Sequence, residues 1–171
     1  IKRVFGFDPP TAHGHGVVES LQAMAEGRSR VMIALGGNLA VAMPDPLRCF
    51  EAVRKLDLAV HIATKPNRSH LLLAKDNILM PCLGRTEIDM QAGGPQSVTV
   101  EDSMSMVHAS RGSLPAPSEH VRSEPAIVAG MAKAVLGDRR GIDWDGMVAD
   151  YDRIRDKIEA VLPAFANYNQ R

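Results

Sequence analysis

Ionisable and hydroxyl side chains, the groups that could do chemistry, concentrate between residues 84 and 112, in GRTEIDMQAGGPQSVTVEDSMSMVHASRG. The stretch is too polar and glycine-rich for a core element, yet richer in Thr, Val and Met than a plain linker. Its ionisable side chains are Arg85, Glu87, Asp89, Glu101, Asp102, His108 and Arg111. A long segment with little regular structure is usually functional or disordered. We expect a loop that faces a cofactor or a neighbouring domain, with one short strand at 97–102.

Glycine and polar residues also follow three apolar runs. The runs are RVMIAL, DLAVHIA and NILMPC, and the residues that follow them include Gly36, Gly37, Asn38, Thr64, Lys65, Asn67, Arg85 and Thr86. Ligands of open α/β sheets bind outside the carboxyl ends of the strands. Taken together, the three strand ends predict a nucleotide-sized site.

Each strand end has an ordinary explanation as well. Gly36-Gly37-Asn38 lets a backbone approach a ligand and offers amides to an anion, but it also suits a tight turn. It matches neither GxGxxG nor the GxxxxGK phosphate loop. The donors of 64–69 suit phosphate oxygens or the edge of a base, and equally a capped helix with solvated side chains.

Histidine and cysteine give no catalytic or metal constellation. His13 and His15 are spaced like a strand metal pair but have no further ligands nearby in the sequence. His61 is expected to be a satisfied core residue, and His70 a partly buried helix residue. We therefore assign no catalytic residue and no metal ligand.

The two cysteines, Cys49 and Cys82, both lie among apolar residues and are expected to be reduced core thiols. They match no ligand spacing. Reduced thiols favour the cytoplasm.

Periodicity predicts helices between the apolar runs. VVESLQAMAEG, PDPLRCFEAVRKL and SHLLLAKD are expected to be helical, with Gly27 as the stop of the first. The alternation predicts an α/β fold of three αβα layers, with helices on both faces of a Rossmann-like parallel sheet whose first two strands are buried. A helix is expected to begin near Ser123, and DWDGMVADYDRIRDKIEAVLPAFANY to form a C-terminal helical tail.

Chain length, net charge and the length of the apolar runs restrict the class of protein. A chain of 171 residues suits one domain, here 1–171, with a core at about 13–137 and a tail at about 143–171. Twenty basic and twenty acidic residues give a net charge of zero, which argues against a nucleic-acid partner. No apolar run is long enough to span a membrane. The chain begins at Ile1 without an initiator Met, and we expect an internal piece of a longer protein.

Several segments resemble the formate-dehydrogenase-alpha-like branch of the molybdopterin oxidoreductases. They are ALGGN with AMPD, ATKPNRSHL, ILMPCLGRTEID, VTVEDSMSMVHASRG and HVRSEPAIVAGMAKAVLG. The pair GRTEID and VTVEDSMSMVH is specific to that branch. Its enzymes are several times longer than this chain. The resemblance therefore implies one internal domain whose partners are the remaining domains of the same subunit.

The resemblance also implies a cofactor, bis-molybdopterin guanine dinucleotide, which contains molybdenum. Gly36, Gly37 and Asn38 would lie near the ribose or pyrophosphate, and Thr64, Lys65 and Asn67 would contact the guanine or its phosphates. Where the wider family often has an Asp that contacts guanine, this chain has Ile62-Ala63-Thr64. The following loop would cover the cofactor or the neighbouring domain through Arg85, Thr86, Glu101, Asp102 and Ser103.

The family's 4Fe-4S cysteines do not occur in this sequence, so a cluster would be ligated elsewhere in the parent. The isolated chain is therefore expected not to turn over substrate. Two alternatives remain open. One is a stand-alone nucleotide- or anion-binding module without redox activity, and the other is a domain kept mainly for assembly.

Overall fold

The three apolar runs form parallel strands. The computed structural model of the protein describes residues 1–137 and 141–170. Its strands are β1 (Val31–Leu35), β2 (Leu58–Ala63), β3 (Asp76–Pro81), β4 (Met90–Gln91), β5 (Gly94–Pro95), β6 (Val98–Glu101) and β7 (Val107–Ser110). Its helices are α1 (Lys2–Phe5), α2 (Val17–Ala25), α3 (Leu39–Ala42), α4 (Pro46–Arg54), α5 (Glu124–Leu136), α6 (Trp144–Ala149) and α7 (Asp152–Val161).

The chain divides into two units. Residues 12–82 hold α2 to α4 and the three-stranded sheet, in the order β1-β2-β3. Residues 1–11, with the chain from residue 83 onward, hold α1, the two short antiparallel pairs β4-β5 and β6-β7, and α5 to α7. The predicted α/β class, with a parallel sheet and C-terminal helices, is confirmed. That residues 1–171 form one domain stays a prediction.

Helices α2 and α4 cover one face of the sheet. Met32 of β1 is in register with Ala59 of β2, and both belong to or pack against the cluster of buried side chains that these helices supply. The buried members of the cluster are Leu21, Met24, Ala40, Met43, Cys49, Ala52, Val53, Leu56, Ala59, Leu72 and Ala74. Removing a side chain such as Leu56 from water contributes about 1.5–3 kcal/mol. The core of this unit therefore lies between the helices and one face of the sheet.

Local sequence signals fix where α4 and α5 begin. The carboxylate of Asp45 accepts a hydrogen bond from the Arg48 amide at 3.1 Å, and Pro46 occupies the first helical turn. α5 begins directly after Ser123, as predicted. Gly27, the predicted stop of α2, has a φ of +74°, the left-handed conformation that glycine tolerates best.

The prediction that β1 is buried is wrong for one of its faces. Its residues alternate between exposed and partly buried. Helices α2 and α4 pack on the face that carries Met32, so Val31, Ile33 and Leu35 point away from that core.

Other boundaries differ from prediction because distant contacts decide them. SHLLLAKD gives only a single 3-10 turn, Arg68–Leu71. The predicted tail helix is interrupted between α6 and α7, where the buried Tyr151 donates its amide to Gln96. The loop 84–112 contains two antiparallel pairs instead of one strand. Within the described residues, no helix is long and apolar enough to cross a membrane.

Candidate functional site

The carboxyl ends of β1, β2 and β3 share one edge of the sheet, because the strands are parallel. Gly36, Thr64 and Cys82 are the first residues after the strands. The Gly36 amide extends the β1–β2 ladder by donating to the carbonyl of Ile62 at 2.8 Å. The predicted residues of the first two strand ends therefore lie at the edge where open α/β sheets bind ligands.

Hydrogen bonds join the turn after β1 to the turn after β2. The Asn67 side-chain amide donates to the Gly37 carbonyl at 3.3 Å. The Ser69 hydroxyl donates to the Asn38 side-chain oxygen at 3.0 Å and accepts from the Ala40 amide at 2.9 Å. The structure thus brings together Gly37, Asn38 and Asn67, all predicted from sequence. Ser69, a buried residue that sequence reasoning missed as a partner, connects them.

Most polar atoms of Asn67 are engaged in hydrogen bonds within its own turn. Its side-chain oxygen accepts from the Ser69 amide at 2.9 Å, and its backbone amide donates to Nδ1 of His70 at 2.9 Å. These bonds cap the 3-10 turn Arg68–Leu71. Asn67 therefore positions the turn, and its neighbours Thr64 and Lys65 are the groups left to face a ligand.

Open donors and open backbone surround this edge. The side chains of Thr64 and Lys65 are exposed, and within the described residues no hydrogen bond or ion pair engages them. Gly36 has a φ of +72°, which favours glycine. A Cβ added at Gly37 would meet no heavy atom of the described residues within 4 Å. The edge offers a cation, a hydroxyl and an unobstructed backbone, a combination suited to an anionic group such as phosphate.

His61 lies below this edge on β2 and is 4% exposed. The prediction of a satisfied core residue is wrong, because among the described residues neither ring nitrogen of His61 has a hydrogen-bond partner. Its ring lies edge-on to His70, with 4.9 Å between the ring centroids. Burial, and secondarily the charge of His70, lower the pKa of His61. His70 is partly buried, as predicted.

The remaining predicted site residues belong to the other unit. Arg85 and Thr86 follow residue 83, and the Arg85 guanidinium donates to the Ser110 hydroxyl at 3.4 Å. The Thr86 hydroxyl donates to the Glu87 carboxylate at 3.1 Å. The second Glu87 oxygen accepts from the Gly84 amide. Glu87 thus holds the start of the loop.

Glu101, Asp102 and Ser103 lie at the tip of the β6–β7 hairpin. Ser110 is paired with Val98 at the opposite end of the hairpin. This pair is three residues away from Glu101 and Val107, the last pair before the tip. Because a strand rises about 3.3 Å per residue, the Arg85 guanidinium lies about 10 Å from the tip. The loop residues therefore form two groups instead of one cluster.

Asp102 organises the hairpin tip. Its carboxylate accepts from the Met104 and Met106 amides at 2.8 and 3.1 Å, and it pairs with His108 Nε2 at 2.7 Å. The His108 bond first, and then the two amides, lower the pKa of Asp102. Asp102 is thus a structural residue of the turn, whereas Glu101 and Ser103 are exposed.

A cleft of about 680 Å³ lies between this hairpin and the C-terminal segment. Glu101 and His108 line it from the hairpin, and Arg155, Phe165 and Tyr168 from the other side. The Tyr168 hydroxyl donates to Thr99 at 2.8 Å, and Arg155 donates to the Ser97 carbonyl at 2.9 Å. These contacts attach the C-terminal segment to the hairpin.

A cluster of polar side chains around the buried Tyr151 fixes the middle of the loop 84–112. The Tyr151 hydroxyl is bonded to the Asp89 carboxylate and, at 2.8 Å, to the Ser123 hydroxyl. The Tyr151 amide donates to Gln96 at 2.8 Å. Burial first, and then the Asp89 bond, raise the pKa of Tyr151. In the sequence Tyr151 falls at helical spacing with the apolar residues Met147 and Ile154, and this spacing gives no sign of its polar role.

Metal ligands do not converge within the described residues. No group of three or more His, Cys, Asp or Glu side chains is arranged there to hold an ion. His13 and His15 are exposed. Cys49 and Cys82 are buried, as predicted.

Replacing His61 should change how the stability of the protein depends on pH. In the unfolded state the His61 imidazole takes up a proton near its ordinary pKa of 6.5, whereas in the folded state burial lowers the pKa of His61 and opposes protonation. The free energy of unfolding is therefore not reduced by the protonation of His61 above about pH 6.5, and it falls as the pH drops below that value. His61→Leu should reduce this fall, and should raise stability by about 1 kcal/mol at pH 7 by removing two unpaired buried nitrogens.

Urea unfolding from pH 5 to pH 8 measures both effects, and His13→Leu, at an exposed position, is the matched control. An unchanged pH slope in His61→Leu, or a slope change of equal size in His13→Leu, would contradict the assignment.

Known proteins similar to this chain are much longer than it is. Protein YdeP of Escherichia coli (strain K12) is 55% identical over 167 residues, which cover 98% of this chain and 22% of that protein. The protein of the same name from Shigella flexneri gives the same values. An uncharacterized oxidoreductase of Mycobacterium tuberculosis is 45% identical over 171 residues, covering 100% of this chain and 22% of that protein.

No family model matches the chain. The chain spans 22% of the length of the curated relatives it matches, which is consistent with one segment of a larger protein.

Proposed function

We propose that the chain is a cofactor-binding segment of a larger molybdenum-dependent, formate-dehydrogenase-like oxidoreductase. Its role would be to hold the guanine dinucleotide part of bis-molybdopterin guanine dinucleotide. The observation that carries the proposal is the shared carboxyl edge of β1 and β2, where Gly37, Thr64 and Lys65 are accessible. The relative from Mycobacterium tuberculosis is named an oxidoreductase, which supports the reaction class.

The residues at this edge fit a dinucleotide. A pyrophosphate needs positive charge and hydrogen-bond donors, which the Lys65 ammonium and the Thr64 hydroxyl can supply. It also needs close approach of the backbone, and the space around Gly37 permits it. Asn38, Asn67 and Ser69 would hold the two turns in place and contact the ligand only through their remaining polar atoms.

The chain would contribute binding and orientation, while the bound cofactor supplies the redox chemistry at its molybdenum. Lys65 would offset phosphate charge, and Thr64 would donate a hydrogen bond. In the other unit, Arg85, Thr86, Glu101, Asp102 and Ser103 would face the cofactor or a neighbouring domain, with Asp102 shaping the tip that presents its neighbours. No residue of this chain is proposed to be catalytic, and the chain alone would not turn over substrate.

The same proposal specifies the partner domains of the chain and its cellular compartment. The remaining domains of the subunit would complete the cofactor site and would carry any 4Fe-4S cluster. The two cysteines are buried thiols, and a reducing compartment, the cytoplasm, would keep them so.

Lys65→Ala should lower the cofactor content of the longer protein. A hydrogen bond to a charged group is worth about 1.5–3 kcal/mol, so affinity should fall roughly ten- to hundredfold. The measurement is guanine nucleotide released on acid hydrolysis, together with molybdenum per protein. Lys75→Ala is the control, because Lys75 is also exposed but precedes β3, at the amino end of the sheet. Equal cofactor content in both variants would count against the site.

Substitutions at Gly36 and Gly37 should distinguish an effect on folding stability from an effect on cofactor binding. Gly36→Ala should lower the free energy of unfolding by about 1 kcal/mol, because its left-handed φ disfavours a side chain. Gly37→Val should leave stability within about 0.5 kcal/mol but reduce cofactor content, since the added side chain occupies open space at the edge.

Urea unfolding and nucleotide release measure the two effects separately. If Gly37→Val retained its full cofactor content, the ligand would not approach this turn. Inorganic phosphate bound at the edge in protein that lacks both molybdenum and guanine would favour the stand-alone anion-binding module.

A further inference from the structure

An apolar surface on the sheet of residues 12–82 lies apart from the proposed site. We call it the open face: Val31, Ile33 and Leu35 of β1 and Ile78 of β3, which are between 47% and 58% exposed. The register pairs Ile33 with Val60 and Val60 with Ile78, which places these side chains on one side of the sheet. That side is opposite the face carrying Met32 and Ala59, which α2 and α4 cover.

Single exposed apolar residues are common on protein surfaces and need no explanation. The open face is different because Val31, Ile33 and Leu35 follow one another along one side of β1, an edge strand of a parallel sheet. Ile78 lies on the same side of β3, with the buried Val60 of β2 between it and Ile33. Parallel sheets occur almost only with both faces covered, usually by helices. A row of about half-exposed aliphatic side chains on such a sheet therefore indicates a layer that residues 12–82 do not themselves complete.

We propose that the open face is covered by an amphipathic helix of the longer polypeptide, from outside residues 1–171. A helix places apolar residues at i, i+3, i+4 and i+7 along one stripe. Such a stripe can lie across Val31, Ile33 and Leu35, whose side chains follow one another along the same side of β1. The partner is thus the same polypeptide, with an aliphatic stripe as the recognising chemistry.

A second copy of the chain fits this surface less well. Four half-exposed aliphatic side chains offer on the order of 300 Å², whereas a stable dimer buries about 800 Å² per partner. A covalently linked segment needs less area, because its effective concentration is on the order of millimolar. The curated relatives have the length to supply such a segment, since the chain aligns to only 22% of each. This inference concerns packing and does not depend on which cofactor the protein holds.

Thiol labelling of Ile33→Cys in the longer protein tests whether the face is covered. Met32→Cys, on the helix-covered face of the same strand, gives the labelling rate of a shielded thiol, and the urea-unfolded Ile33→Cys protein gives the unshielded rate. Peptide mass spectrometry assigns each label to its position. The native Ile33→Cys rate should lie closer on a logarithmic scale to the shielded rate. A rate closer to the unshielded one would overturn the proposal.

Photo-crosslinking identifies the occupant. The variant Ile33→benzoylphenylalanine of the longer protein should crosslink to a peptide of the same molecule outside residues 1–171. A crosslink within residues 1–171, or a product of doubled mass that forms between two molecules, would overturn the proposal. Because neither readout uses cofactor content, failure here is distinguishable from failure of the proposed binding site.

Discussion

Parallel pairing of β1 with β2 and of β2 with β3 is the constraint on which the rest of this structure depends. It carries three strand ends to one edge, although they are separated along the chain by helices and turns. Buried helix-side residues fix which face of the sheet points inward, because a shift of one residue would move every side chain to the other face. The accessible groups Gly37, Thr64 and Lys65 are neighbours only because this pairing holds.

Polar contacts then set the shape of the edge. The Ser69 hydroxyl accepts a bond from the backbone after β1 and donates one to the Asn38 side chain. Burying a hydroxyl that both donates and accepts a hydrogen bond lowers the stability of the fold little, whereas burying one without partners would lower it by about 1–3 kcal/mol. The two turns are therefore held together before any ligand arrives, which lowers the ordering cost of binding. His61, just below this edge on β2, is the opposite case, because its ring is buried and neither nitrogen has a hydrogen-bond partner in the described part of the chain.

Local signals in the sequence were sufficient for part of this arrangement. The apolar runs predicted β1, β2 and β3, Gly27 predicted the end of α2, and Ser123 predicted the start of α5. The partnership of Ser69 with Asn38 was not predictable, since the two residues are 31 positions apart and meet only in the folded sheet. The break between α6 and α7 has a similar cause, because Tyr151 is bonded to Gln96, 55 positions away. Strand β7 was missed because VHAS carries little apolar periodicity, and its pairing depends on the turn that Asp102 organises.

The most direct test is an electron cryo-microscopy map of the longer protein, purified with the small molecules it retains. The account predicts density for a dinucleotide at the carboxyl edge of the sheet, with phosphate oxygens within hydrogen-bond distance of Lys65 or Thr64. A dinucleotide bound elsewhere in the protein, with this edge in contact only with solvent or protein, would contradict it.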